Sequence, residues 1–205
     1  MKATKIIALL CFGACLFASC HHEEGPSKDD VEKMKETVQE WATYLSDNYQ
    51  LFDSVYFLRT DLETQETQIE GFVVVGSGFE ELSYEEAKGF MGHLHEEDDS
   101  YFSIYIDGYM TAVSLISREG REPKSSIGVD LHTSYDTDAN RIQEYCYLYI
   151  QLGLNYDPCY DVGHFTTDKD LLTVTKCSNV CTMQRNVGII RFSNDQYSWE
   201  LVEKN

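Results

Sequence analysis

Six histidines, seven cysteines and 35 carboxylates are the reactive side chains of this 205-residue chain, and their spacing limits what they can do. His93 and His95 stand two residues apart. On a helix they would face roughly 200° apart and could not share a metal; in an extended segment they would share a face, with Glu97 nearby. A zinc-protease pair needs a second histidine at position 99, which is Asp. His132 and His164 have no local partner and read as structural or surface residues. Asp136-Thr137-Asp138-Ala139-Asn140 opens like a calcium loop, with oxygen ligands at its first, third and fifth positions. Arg141 then replaces the required glycine and Tyr147 the closing glutamate, so an Asx-rich turn is the expectation. Gly76-Ser77-Gly78 lacks the third glycine of a dinucleotide loop and the lysine of a P-loop, and reads as a turn. These patterns call for no metal and no cofactor. Tyr145, Tyr147 and Tyr149 offer more. At strand spacing they share one face and form an aromatic platform for a sugar ring or a protein partner, with Tyr156 and Tyr160 at its edge. The competing expectation is that a helix covers this face and makes it core.

The N-terminus carries an address. Lys2 and Lys5 precede an apolar run over residues 6–18, too short to span a bilayer but long enough for a signal-peptide core. The run ends in Phe17-Ala18-Ser19-Cys20, with small residues before a cysteine. Here the chain resembles bacterial lipoproteins, whose signal peptidase cuts before a cysteine that takes lipid on its sulfur and amine. The resemblance implies a signal peptide over residues 1–19, lipidation of Cys20 and a tether over residues 20–26. Phe17 stands where a leucine is usual; the other candidate, Cys15, would leave a core of only about seven residues. His21-His22-Glu23-Glu24 is similar to the acidic export signals of surface lipoproteins in the Bacteroidota. That resemblance implies an outer-membrane address, with display at the cell surface.

Acids outnumber Lys plus Arg by 35 to 16, a net charge of −19. Nucleic acid is therefore not the expected partner, because that binding runs on basic residues releasing counterions from phosphates. Cleavage after residue 19 removes two lysines and no acid, which takes the net charge to −21. Such a surface suits a basic partner or cations, or simply keeps a tethered domain in solution. Once Cys11 and Cys15 leave with the signal and Cys20 takes lipid, Cys146, Cys159, Cys177 and Cys181 remain. An even number in an exported chain predicts two disulfides, with three connectivities open. Cys177 and Cys181 are one residue too far apart for the Cys-x-x-Cys of zinc or redox sites.

The elements that must position these residues are α+β. Ser27 caps a long N-terminal helix, its apolar stripe of Val31, Met34, Val38, Trp41 and Leu45 running to near Tyr49. Ser83-x-x-Glu86 opens a short second helix. Strands are expected at residues 54–59, 69–75, 127–131, 142–152, 171–177, 187–192 and 197–202. Phe72-Val73-Val74-Val75 is apolar on both faces and reads as a central strand. Asp107-Gly108 reads as a two-residue hairpin turn pairing Ile106 with Tyr109. Ile127, Val129 and Leu131 alternate with Gly128, Asp130 and His132, a half-buried pattern. The sum is a mainly antiparallel sheet or partial barrel with one long and one short helix, in a single globular domain over residues 27–205.

The expected function is that of a non-enzymatic binding or interaction module. A lipid anchor would hold it at the envelope membrane, and its partner would be an envelope protein or a glycan. The alternatives are an envelope hydrolase, with His132 or His164 and an acid in a site assembled from distant residues, and a structural subunit of an envelope complex.

Overall fold

The computed structural model describes residues 25–83, 107–120, 122–136, 139–153 and 163–204. Helix α1 (Lys28–Ala42) starts where the sequence places it. Ser27 and Asp30 form a reciprocal capping box: the Asp30 amide donates to Ser27 Oγ (3.2 Å), and the Ser27 amide donates to Asp30 Oδ2 (3.1 Å). The expected long helix is a correction, because α1 has 15 residues and stops seven short of Tyr49. Thr43 turns its hydroxyl back onto the Glu40 carbonyl (2.6 Å), and Asn48 Nδ2 takes the Thr43 carbonyl (2.8 Å). Ser, Asp and Asn side chains compete for backbone groups in this way, so residues 46–48 form a 3-10 turn. The second expected helix lies outside the described residues.

Among the described residues ten antiparallel strands follow: β1 (Ser54–Asp61), β2 (Thr67–Ser83), β3 (Asp107–Glu119), β4 (Glu122–Asp136), β5 (Arg141–Leu152), β6 (His164–Asp168), β7 (Leu171–Lys176), β8 (Asn179–Gln184), β9 (Gly188–Ser193) and β10 (Tyr197–Lys204). Their order is β5-β4-β3-β2-β1-β10-β9-β8-β7-β6. A bridge between Cys146 and Gly163 brings the two ends together, so the sheet is a nearly closed barrel. Closure gives one inner face. Phe57, Phe72, Phe192 and Trp199 fill it with edge contacts of 5.0–5.8 Å and a stacked Phe192–Trp199 pair at 4.7 Å. Helix α1 lies across the end where β2, β4, β6, β8 and β10 terminate. Met34, Val38 and Trp41 are buried there. Trp41 meets Phe165 edge-on at 5.1 Å, Thr133 Oγ1 donates to the Met34 carbonyl (3.4 Å), and the Asn186 amide donates to the Thr43 carbonyl (2.7 Å).

Three further expectations are corrected. Asp107-Gly108 is not a hairpin turn: Gly108 lies within β3, between Leu82 of β2 and Ser134 of β4. Two-sided pairing of a whole strand outweighs one local turn signal. Gly76-Ser77-Gly78 is likewise strand, lengthening β2 past a bulge between Val74 and Gly76. Val73 and Val75 are exposed, so the apolar run at residues 72–75 is buried on its inner face only. Strands β6 and β8 were not expected.

At the barrel end opposite α1, Glu70 is buried inside. Its carboxylate accepts from Ser125 Oγ (2.6 Å) and Trp199 Nε1 (3.0 Å), with Arg59 Nη1 at 3.7 Å. One side chain thereby ties β2 to β4, β10 and β1. Replacing Glu70 with Ala leaves two buried donors and a cation without their partner, and is expected to cost roughly 3–5 kcal/mol in urea unfolding. Ser125→Ala should cost about 1 kcal/mol in the same assay.

Candidate functional site on the outer face of the barrel

Strand alternation builds this site. Ile127, Val129 and Leu131 are fully buried in the core, so Gly128, Asp130, His132 and Ser134 of β4 face outward. Across from them on β5, Tyr149 pairs with Gly128, Tyr147 with Asp130, and Tyr145 with His132. On the other side, β3 sets Ser114, Ala112 and Met110 beside Gly128, Asp130 and His132. The three tyrosines of the row are therefore brought together, and with them a histidine and a carboxylate. Helix α1 does not cover them. Its contact with β4 is through Thr133, on the inner face.

The rings pack in a defined way. His132 stacks on Tyr145 (5.1 Å, 11°), and Tyr147 stands perpendicular to both, at 5.3 Å from His132 and 5.9 Å from Tyr145. Tyr147 and Tyr149 remain 42% and 36% exposed. Lys176 of β7 holds its ammonium 5.7 Å from the Tyr147 ring centre. Tyr149 lies flat on Gly128: a Cβ added there would come within 2.0 Å of the ring. Its hydroxyl reaches across β4 to Ser114 Oγ (3.1 Å).

Beneath the rings the polar groups are short of partners. His132 Nε2 and Ser134 Oγ are buried without a hydrogen bond. Burial pushes the Asp130 carboxyl up to about 6 and the His132 imidazole down to about 4. At neutral pH, Asp130 is anionic and His132 is uncharged. Burial also raises the Tyr149 hydroxyl; the Ser114 hydrogen bond opposes the rise and the Asp130 charge adds to it. The alternation of Gly128, Asp130 and His132 already marked an outward face. The tyrosine register turns that face into a site.

The other sequence-derived candidates are not part of it. Asp136 makes an Asx turn, accepting from the Ala139 amide (2.9 Å), while Asn140 takes a positive φ and accepts from the Tyr135 hydroxyl (2.6 Å). His164 is exposed on β6. Among the described residues no group of acids, histidines and cysteines could hold a metal ion, and no helix is long and apolar enough to cross a membrane. Cys20, His93, His95, Tyr156, Cys159 and Tyr160 lie outside the described residues. Of the four cysteines expected to form two disulfides, three are described. Cys146 and Cys181 are free and buried, and Cys177 is disulfide-bonded. Burial raises both free thiols, Cys146 to about 11 despite nearby Lys176.

Two outcomes follow from this geometry. Gly128→Ala must lift Tyr149 from the sheet and break its bond to Ser114, at a cost of about 1–3 kcal/mol. In a Tyr149→Ala background the same change should cost little, which a double-mutant cycle by urea unfolding will read. Asp130 is raised in the native state, so between about pH 6 and 4 native protein binds more protons than unfolded chain, and its contribution to stability grows as pH falls. His132, lowered to about 4, acts in the opposite sense below its ordinary value of 6.5, and in the wild type the two oppose each other. Asp130→Asn isolates the acid. It should stabilise by roughly 1–3 kcal/mol at pH 7.5, with the gain shrinking toward zero as pH drops through 6 to 4 in a series of melts.

Compared with protein-family models, curated proteins and solved structures, the chain matches none of them.

Proposed function

We propose that the protein is an envelope lipoprotein, held to the membrane by lipid on Cys20, that works as a binding module through the outer face of β4 and β5. The observation that carries the reading is the packing of half-exposed Tyr147, beside Tyr149, against the ring of His132, whose buried Nε2 lacks a partner. Burying such atoms costs roughly 1–3 kcal/mol each, a cost that a bound partner can relieve. The residues before α1 would serve as a short tether, and the excess of acids would keep the domain off anionic headgroups.

The reading as an envelope hydrolase has less support. Ser134 Oγ and His132 Nε2 share a face but make no bond to each other, and His132, lowered to about 4, is a weak base at neutral pH.

One experiment tests both parts of the proposal. Membranes bearing wild-type protein should bind a fractionated envelope protein or glycan saturably. The Tyr147→Ala/Tyr149→Ala variant should stay on the membrane and lose at least about tenfold in affinity. Cys20→Ala should move the protein to the soluble fraction with its binding intact. If the tyrosine variant binds as the wild type does, the face is not the contact.

A further inference from the structure

Resting on that reading, we propose that the outer face of β3, β4 and β5 is a saccharide site for an uncharged sugar. The sugar ring would lie on Tyr149 and Tyr147, with its hydroxyls bonded to the Asp130 carboxylate, opposite Tyr147, and to His132 Nε2, whose ring meets Tyr147 edge-on. The flat contact comes first. Tyr149 is held against the sheet by the missing side chain at Gly128 and by Ser114 at 3.1 Å, so one ring face is used up and the other points outward. A pyranose presents a face of C–H bonds, and these pack on the electron-rich face of an aromatic ring.

The polar groups then choose among ligands. Asp130 as a carboxylate only accepts; neutral His132 donates at one nitrogen and accepts at the other. A polyol hydroxyl can donate to the first and meet either need of the second. An anionic ligand would meet Asp130 and a chain of net charge −19. A cation would meet the Lys176 ammonium already 5.7 Å from the Tyr147 ring centre. Tyr145 and Tyr147 wall off His132 Nε2, and Tyr147 is the more exposed of the flanking rings. Access to the histidine therefore runs past Tyr147.

The test is saturation-transfer NMR on the intact lipidated protein in nanodiscs. The probes are neutral hexasaccharides of glucose, mannose and xylose, with oligogalacturonate and chitosan hexamers as charged counterparts. At least one neutral oligosaccharide should bind at micromolar to low-millimolar concentration. Tyr149→Ala, Gly128→Ala and Asp130→Asn should each weaken it about tenfold, with folding of every variant checked by its melt. Binding of the chitosan hexamer alone would overturn the proposal in favour of a cation site. Binding unaffected by all three variants would place the sugar elsewhere and overturn it as well. If no oligosaccharide binds while the Tyr147→Ala/Tyr149→Ala variant still loses an envelope partner, the saccharide assignment falls and the binding face stands. If those tyrosines affect no binding at all, both fall.

Discussion

A curled antiparallel sheet has an inner face that must be filled, and here filling it from one end is the task of α1. Met34, Val38 and Trp41 go in from the helix, Tyr44 and Leu45 from the turn after it, and all are buried in the same core as the strands. The helix is held on both sides of the barrel. Thr133 of β4 bonds it at Met34, while Asn186, after β8, bonds the chain at Thr43. The opposite end is closed differently, by the buried Glu70 carboxylate and its donors. One end is sealed by apolar surface and the other by a polar network. Between them the strand alternation is locked, because a slip of one residue would exchange inside for outside along a whole strand.

That lock gives the outer face its chemistry. Because Val129 and Leu131 must point inward, Asp130 and His132 must point outward, into the shelter of the tyrosines on β5. Both are kept there although burial disfavours their charged forms. A barrel built only for stability would have an apolar or a fully solvated residue at each of these positions. Groups retained at a cost, under rings that still face solvent, are the pattern that function leaves on a fold.

Much of this was legible in the chain. The Ser27 cap of α1 follows from local pattern, as do the alternation in β4 and β5 and the strands β1, β7, β9 and β10, because each of these strands has one buried face. The errors share a cause. Asp107-Gly108 and Gly76-Ser77-Gly78 carry genuine turn chemistry, but both lie in strands, Gly108 laddered to β2 and β4 and residues 76–78 to β3, where ladder bonds and inward side chains decide. The apolar stripe beyond Ala42 is real, yet Tyr44, Leu45 and Tyr49 are buried from a turn instead of a helix. Asp130 was visible as an outward residue. What made it a candidate, its register opposite Tyr147, depends on how β4 and β5 pair, and residue types alone do not reveal that.

The two buried thiols carry a consequence in time. Cys146 sits at the barrel seam beside Gly163, and Cys181 is enclosed within β8. Enclosure protects them only after the barrel has formed. A chain entering an oxidising compartment unfolded offers all its thiols at once, and a bond from either of these two to a wrong cysteine would hold its strand out of the sheet. For a chain exported as proposed above, the order of events would matter as much as the final contacts: the strands that enclose Cys146 and Cys181 would have to assemble faster than an oxidant could find them.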